Sequence, residues 1–233
     1  MKTPMKFLLC LLAVTGAAVA TEGEVRLAII GDSTVCNYPS NSVTRGWGEF
    51  IQPAFKEQVR VINLAKSGRS TKTFIKEGLW KKTLETKPQF ILIQFGHNDS
   101  HAKERPEATA ADGDFKENLR RYIAEARAAG AQPVFITPVH RRMFKADGTL
   151  STELQPYAET MKQVAAELKV PLVDLYAMSG ELFLKAGDTG GVDLNCKPSD
   201  RTHFSAKGAK AVAGLVLKEL PAAAPELKPL LKD

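Results

Sequence analysis

Five short apolar segments, separated by longer amphipathic stretches, set the strongest constraint on how this chain of 233 residues can fold. The segments are rich in β-branched and aromatic residues and lie at 26–30, 59–64, 90–95, 133–136 and 171–175. Their polar and apolar residues do not alternate, which is typical of strands whose two faces are both covered. Repeated strand–helix units favour a parallel sheet between two helical layers. We therefore predict an α/β fold, a three-layer α/β/α sandwich on a five-stranded parallel sheet.

The stretches between these segments space their apolar residues as helices do. This spacing predicts helices over 115–129, 154–168 and 205–220. The last helix is expected to be capped by Ser205 and stopped by Pro221, because proline lacks the N–H that a helix interior needs. Residues 47–55 are also amphipathic, with Pro53 as an interruption.

The N-terminus has the pattern of a secretory signal peptide. Two lysines precede an apolar run at 7–20, and small residues at its end supply a cleavage site before Thr21. The run is shorter than the roughly 20 apolar residues that span a bilayer. We therefore expect cleavage of the signal peptide at 1–20 and a single domain over 21–233. The mature protein is expected to be exported, secreted or periplasmic, with no membrane association after cleavage.

Composition and charge narrow the class of protein further. Hydrophobic residues make up 44% and charged residues 25%, which is ordinary for a globular chain and argues against disorder or a fibrous repeat. The formal net charge is +6, but lysines and arginines are interspersed with acidic residues. This mixture favours a solvated surface over a nucleic-acid site. We expect no nucleic-acid partner, and among oligomeric states a monomer is favoured.

Residues able to do chemistry follow the predicted strands. The segments are Gly31-Asp32-Ser33-Thr34, a glycine-containing turn at 63–70, Gly96-His97-Asn98-Asp99, and Asp200-Arg201-Thr202-His203 before the last helix. Ligands of parallel sheets bind beyond the carboxyl ends of the strands, so these segments are expected to converge on one rim.

Together these residues supply the parts that acyl transfer needs. Ser33 is the candidate nucleophile, His203 the base that accepts its proton, and Asp200 the carboxylate that orients the imidazole. The candidate donors to the oxyanion are the backbone N–H groups of Ser33 and Gly68 and the side-chain amide of Asn98.

Each of these residues also has a purely structural interpretation. Asp32 is a suitable helix cap, Gly68 suits a tight turn, and Asn98 is an ordinary turn former. His203 is also typical of a surface residue before a helix. The functional interpretation depends on their occurrence together, in this order, at strand ends.

The four segments resemble the four blocks of the SGNH hydrolases, the GDSL esterase/lipase superfamily, which is named after a serine, a glycine, an asparagine and a histidine. These match Ser33, Gly68, Asn98 and His203. Within that superfamily, the stretches GDSTV, GWGEF, SGRSTKTFIKEG, QFGHND and DRTHFSAKGA are most similar to rhamnogalacturonan acetylesterases, and the similarity spans about 27–217. The resemblance implies a flavodoxin-like three-layer fold, no metal, no cofactor, and removal of acetyl groups from pectin backbone sugars.

Substrate contacts are predicted less specifically. Arg141 and Arg142 follow the fourth strand and are candidates to meet galacturonate carboxylates, with a solvated loop as the alternative. Arg69 lies beside Gly68 and either contacts substrate or holds the loop. Trp47 is a candidate sugar platform, with core packing as the alternative.

Cys36 and Cys196 remain after signal cleavage, one shortly after Ser33 and the other shortly before Asp200. If these loops meet, a disulfide between the two cysteines can tie them together in an oxidising compartment. Two free thiols are the alternative.

The expected function is therefore that of a serine esterase that removes O-acetyl groups from a plant cell-wall polysaccharide, with rhamnogalacturonan as the first expectation. The partner is an acetylated polysaccharide or oligosaccharide. The alternatives are an acetylesterase for acetylxylan or small esters, and a non-catalytic carbohydrate-binding protein on the same fold. A nucleotide-binding flavodoxin-like protein is disfavoured, because no glycine-rich phosphate loop of recognised spacing is present.

Overall fold

The computed structural model describes residues 23–232, and the predicted signal peptide lies outside them. Its strands are β1 (Val25–Gly31), β2 (Val59–Asn63), β3 (Phe90–Gln94), β4 (Gln132–Ile136) and β5 (Leu172–Val173). They form one five-stranded sheet in the order β2-β1-β3-β4-β5, and every neighbouring pair is parallel. The predicted fold class is confirmed.

Helices cover both faces of this sheet. They are α1 (Thr71–Lys76), α2 (Leu79–Glu85), α3 (Lys116–Ala128), α4 (Gln155–Leu168), α5 (Leu175–Ala186) and α6 (Ala206–Ala223). The first four pack on the face that carries Ala28 and Ile30, and the last two pack on the face that carries Leu27 and Ile29. Both faces of β1 are buried, so polar and apolar residues do not alternate along its sequence. Within residues 23–232, no helix is both long enough and apolar enough to cross a membrane.

Several elements differ from the prediction. The fifth segment ends early, because Asp174 caps α5 by accepting a hydrogen bond from the backbone N–H of Ala177, so Leu175 begins a helix. Pro221 does not stop α6, which continues to Ala223. A proline in the last turn removes only one helical bond, and the buried Leu220 and Ala224 hold that end in the core.

Residues 47–55 form two short 3₁₀ turns rather than a helix. The short helices α1 and α2 were not predicted, because each spans too few residues to show a full helical period. The one local signal for α1 is Ser70, whose hydroxyl accepts a hydrogen bond from the backbone N–H of Thr73.

The chain order places a crevice at the centre of the sheet. From β1 the chain runs to β2 on one side, and it then returns to β3 on the other, so the loops after β1 and β3 diverge at their carboxyl ends. Gly31 at the end of β1 pairs with Gln94 at the end of β3. Asp32 and Ser33 therefore lie beside the turn that carries His97 and Asn98.

Candidate active site

Ser33, His203 and Asp200 form a continuous hydrogen-bonded series. The Oγ of Ser33 lies 3.0 Å from Nε2 of His203, and Nδ1 of His203 lies 2.9 Å from Oδ2 of Asp200. A carboxylate only accepts hydrogen bonds, so Nδ1 carries the proton and Nε2 is left to accept one from the Ser33 hydroxyl. This arrangement can raise the nucleophilicity of a serine hydroxyl.

Asp200 is held as a carboxylate by its own loop. Its Oδ1 accepts the backbone N–H groups of Thr202 at 2.9 Å and His203 at 2.8 Å. Partial burial raises the pKa of Asp200, but the backbone bonds and the His203 ring outweigh burial and lower the pKa to about 2. The carboxylate is therefore ionised at neutral pH and stabilises an imidazolium on His203.

Arg142 fixes the loop that carries His203. Its guanidinium donates to the backbone oxygen of His203 at 2.7 Å and to the side-chain oxygen of Asn195. It also lies over the rings of Phe183 and Phe204, 5.3 and 4.5 Å from their centroids. Arg142 is only 2% exposed, so the prediction that it contacts substrate is wrong: the cation is enclosed by the loop that it supports.

The three predicted oxyanion donors gather beside Ser33. The pairing of β1 with β2 continues into the loops, where Lys66 donates its backbone N–H to Gly31, and this brings Gly68 to the rim. Among residues 23–232, no partner accepts a hydrogen bond from the backbone N–H of Ser33 or of Gly68. The Asn98 amide gives one N–H to the Arg69 backbone oxygen at 3.0 Å, which leaves its second N–H to donate.

Glycine at position 68 is a conformational requirement. Its φ is +77°, in the left-handed region that other residues adopt at a cost, and a Cβ there would meet no atom within 4 Å. The requirement for glycine therefore comes from the backbone conformation and not from a lack of space for a side chain.

Asp99 ties the two oxyanion loops together, a role that the sequence did not reveal. Its carboxylate is fully buried and accepts the backbone N–H of Thr71 at 3.1 Å, the Thr71 hydroxyl at 2.6 Å and the Thr109 hydroxyl at 2.9 Å. Burial nevertheless raises the pKa of Asp99 to about 7. Asp99 is the last residue of the FGHND stretch, but only the fold shows which groups donate hydrogen bonds to its carboxylate.

Trp47 is part of the core beneath the nucleophile turn. Its side chain is 0% exposed, and its Nε1–H donates to the Gln94 side chain at 2.8 Å. A fully enclosed indole cannot stack on a sugar, so the prediction of a sugar platform is wrong and the packing alternative is correct.

The other two predicted substrate contacts are engaged within the protein but remain partly exposed. Arg69 pairs with Glu77 at 2.9 Å and donates to the Ser67 backbone oxygen, which braces the Gly68 turn. Arg141 pairs with Glu153 at 2.7 Å and donates to the His97 backbone oxygen. Contact of either arginine with substrate stays a prediction.

Cys36 and Cys196 are free thiols, so the predicted disulfide is not formed. The Sγ of Cys36 lies against the Ser33 backbone oxygen, and the Sγ of Cys196 lies 3.4 Å from Oδ2 of Asp200. Burial raises the pKa of Cys36 to about 11, which keeps it protonated at neutral pH.

Metal-ligating side chains do not cluster in the part of the chain that the structure describes. Residues 23–232 contain no group of three or more His, Cys, Asp or Glu side chains arranged to hold a metal ion.

A parallel α/β sheet that carries a serine, a histidine and an aspartate in series at its carboxyl edge has a site of the serine-hydrolase type. Residues 29–211 match the model of the GDSL-like lipase/acylhydrolase family, and the chain belongs to that family of carboxylic ester hydrolases. Over 207 residues the chain is 38% identical to the rhamnogalacturonan acetylesterase RhgT of Bacillus subtilis strain 168, and the match covers 82% of this chain and 88% of that protein.

Solved structures show the same fold. The crystal structure of YxiM from Bacillus subtilis has a TM-score of 0.76 at 28% identity and covers 85% of this chain. The present chain spans 56% of that longer chain. Axe2, an acetylxylan esterase from Geobacillus stearothermophilus, has a TM-score of 0.67 at 21% identity, and the match covers 85% of this chain and 95% of Axe2.

Proposed function

We propose that this protein is an exported serine esterase that removes O-acetyl groups from rhamnogalacturonan through an acetyl-enzyme intermediate. The observation that carries the proposal is the hydrogen-bonded series from Ser33 through His203 to Asp200, beside backbone N–H groups that have no partner among the described residues. A carbohydrate-binding protein needs neither an activated hydroxyl nor free oxyanion donors.

In the first half of the reaction, Oγ of Ser33 attacks the acetyl carbonyl carbon, and Nε2 of His203 takes the hydroxyl proton. The carbonyl oxygen becomes an oxyanion that accepts the N–H groups of Ser33, Gly68 and Asn98. Collapse of the tetrahedral intermediate breaks the bond to the sugar oxygen, and His203 returns the proton to that oxygen. The sugar leaves as an alcohol.

In the second half, His203 accepts a proton from water, which attacks the acetyl group on Ser33. A second oxyanion forms in the same place and collapses to break the bond to Oγ. The proton on His203 returns to Oγ of Ser33, and acetic acid leaves and gives its own proton to solvent, which yields acetate. Throughout, the ionised Asp200 stabilises the imidazolium form of His203.

The opening at Ser33 favours a small acyl group. Ser33 is 6% exposed and Asn98 is 7% exposed, so a carbonyl must be presented to the oxyanion donors through a narrow gap. An acetyl group on a projecting sugar hydroxyl fits this requirement, whereas a long acyl chain needs an extended apolar groove.

A cavity beside the Asn98 loop favours an acidic polysaccharide over neutral xylan. The cavity has a volume of about 490 Å³, and Lys72, His101, Lys103, Asp114 and Tyr157 are among its lining residues. Within residues 23–232, neither lysine has a carboxylate within ion-pair distance. Lys72 donates to the Ala108 backbone oxygen at 2.6 Å, which holds its ammonium at the cavity wall.

A uronate carboxylate of a polymer bound across Ser33 would find two ammonium groups and one carboxylate, that of Asp114, in the lining of this cavity, so cations outnumber anions there. The name of the relative RhgT refers to rhamnogalacturonan, a polymer that contains the uronate galacturonate. The name of Axe2 refers to acetylxylan, a neutral polymer, and an esterase for acetylxylan or small esters is the alternative for this chain.

The deciding experiment measures acetate released from acetylated rhamnogalacturonan and from acetylxylan by the purified protein, with Ser33→Ala as the control. We expect Ser33-dependent release with a higher kcat/KM on rhamnogalacturonan. A preference for acetylxylan would establish the alternative substrate, and no Ser33-dependent release from any ester would favour a binding protein.

N-terminal sequencing of exported protein tests the signal peptide, with Thr21 expected as the first residue.

A further inference from the structure

Asp32 and His97 form a buried pair that the proposed mechanism does not use. Asp32 directly precedes Ser33, and His97 directly precedes Asn98. Both side chains are enclosed, at 0% and 2% exposure, and Oδ2 of Asp32 lies 3.4 Å from Nδ1 of His97. This is an ion-pair distance rather than a close hydrogen bond, and neither ring nitrogen of His97 hydrogen bonds to another described residue. The pair joins the nucleophile turn to the oxyanion turn.

A chain of donors keeps Asp32 ionised. Its Oδ1 accepts the backbone N–H of Thr34 at 2.8 Å and the Thr34 hydroxyl at 2.7 Å. That hydroxyl in turn accepts a hydrogen bond from the Gln94 amide, whose oxygen accepts the Trp47 Nε1–H. Each hydrogen bond in this series is donated in the direction of Asp32. Oδ1 of Asp32, at the end of this series, therefore only accepts hydrogen bonds, as a carboxylate oxygen does.

The charge on Asp32 is consistent with the effects that surround it. Burial alone would raise the pKa of Asp32, but the charge of His97 is the largest opposing influence, and with the Thr34 bonds it holds the pKa below its ordinary value. The negative charge extends beyond the pair. After burial, it is one of the causes that raise the pKa values of Cys36 and of the fully enclosed Asp99.

An uncompensated charge at this position would oppose the reaction. The oxyanion develops at the Ser33 N–H, one residue from the Asp32 carboxylate, in a site where burial weakens dielectric screening. A second negative charge nearby raises the energy of the transition state more than that of the neutral ester. A cation held against Asp32 would offset this cost.

We propose that His97 is a positioning residue for catalysis: it compensates the buried charge of Asp32, and so keeps the oxyanion site favourable to negative charge. The inference rests on the proposed esterase function and deepens it. Arg141 donates to the backbone oxygen of His97 at 3.1 Å, which helps to hold the turn that carries the ring.

The test is a double-mutant cycle with His97→Gln, Asp32→Asn and the combined variant, assayed for kcat and KM on an aryl acetate. This substrate needs Ser33 but no polysaccharide contact. We expect His97→Gln to lower kcat by about 10-fold to 100-fold with little change in KM. In the combined variant, two neutral amides replace two opposite charges, and we expect kcat to rise at least about fivefold above that of His97→Gln.

A purely structural role gives a different outcome. If the pair only packs the two turns, the two substitutions disrupt the same contact or add their losses, and the combined variant is no faster than His97→Gln. That result overturns the inference. A Ser33→Ala variant that keeps the activity of the wild type would overturn the proposed function, and the inference with it. Because this result comes from a different variant, the two failures are distinguishable.

A second comparison keeps the test decisive if His97→Gln does not fold. In the Asp32→Asn background there is no charge to compensate, so the further loss of His97 is expected to change kcat by less than about threefold. A larger loss in that background would contradict the inference. Asp147→Asn is the matched control, because exposed Asp147 accepts the N–H and hydroxyl of Thr149 as Asp32 accepts those of Thr34.

Discussion

The Oγ of Ser33 and Nε2 of His203 lie 3.0 Å apart, although 170 positions separate the two residues in the chain. One follows the first strand of the sheet, and the other precedes the last helix. The sheet brings the two loops together at the crevice between β1 and β3, and Arg142 and Phe204 hold the histidine loop in place.

Replacement of Ser33 by alanine is expected to lower turnover of acetyl esters by about 10⁴-fold to 10⁶-fold, because the nucleophile is lost while the rest of the series stays in place. Circular dichroism and thermal unfolding are expected to match those of the wild type. The exposed Ser40 supplies the control, as Ser40→Ala should leave kcat unchanged. Turnover by Ser33→Ala within tenfold of the wild type would exclude Ser33 as the nucleophile.

Arg142→Ala is expected to lower both stability and kcat. It leaves the backbone oxygen of His203 and the side-chain oxygen of Asn195 without their buried donor, at a cost of about 2–4 kcal/mol in the free energy of unfolding. Arg142→Lys should recover only part of the loss, since lysine lacks the planar fork that reaches both acceptors. Denaturant unfolding and steady-state kinetics check this. A rise in KM alone, with unchanged stability, would show that Arg142 contacts substrate after all.

Asp99 is expected to make stability depend on pH. The pKa of Asp99 is about 7 in the folded protein, against an ordinary value of 3.8. Between these values the folded state binds more protons than the unfolded state, so the free energy of unfolding falls as pH rises. One pKa unit corresponds to about 1.4 kcal/mol.

The amide in the variant Asp99→Asn does not titrate. The free energy of unfolding of this variant should therefore decline less between pH 5 and pH 8 than that of the wild type. Urea unfolding of both proteins across this range measures the difference. Parallel curves for the wild type and Asp99→Asn would contradict the raised pKa of Asp99.

Trp47→Phe is expected to destabilise the protein by about 1–3 kcal/mol, because the buried oxygen of Gln94 loses its donor. The KM for acetylated oligosaccharides should stay the same, since the indole is enclosed. Unfolding by denaturant and kinetics on an oligosaccharide series separate the two effects. A several-fold rise in KM with unaltered stability would restore Trp47 as a sugar contact.

The variant that combines Lys72→Gln with Lys103→Gln is expected to raise the KM for acetylated rhamnogalacturonan by about 3-fold to 10-fold, because two charge-assisted contacts to uronate are lost. Its kcat/KM for acetylxylan and for an aryl acetate should not change. Added salt should likewise raise the wild-type KM for acetylated rhamnogalacturonan, because salt screens exposed charges. Lys185→Gln, on the opposite helical layer, is the control. Equal effects on neutral and acidic polymers would rule out a uronate subsite in this cavity.

Local patterns in the sequence were enough to predict most of the fold. Strands β1, β3 and β4 contain continuous apolar runs, and helices α3, α4 and α6 show a helical period of apolar residues, because burial on the sheet requires those patterns. The residues at the carboxyl ends of the strands could also be named in advance, since parallel sheets place their ligands there. The short helices α1 and α2 carry too little pattern to be predicted.

The state of individual side chains depended on tertiary structure. An arginine or a tryptophan near a strand end has the same local sequence whether it faces a sugar or the core, and only the packing of distant elements buries Arg142 and Trp47. Cys36 and Cys196 likewise stay unbonded, although each lies in a loop beside the active site. Hydropathy and capping are local, so the approximate positions of the strands and of helices α3, α4 and α6, together with the candidate chemistry, could be predicted from the sequence, whereas α5 was not. Pairs of residues far apart in the chain, such as Asp32 and His97, become visible only in the folded protein, because burial and charge pairing depend on which distant surfaces meet.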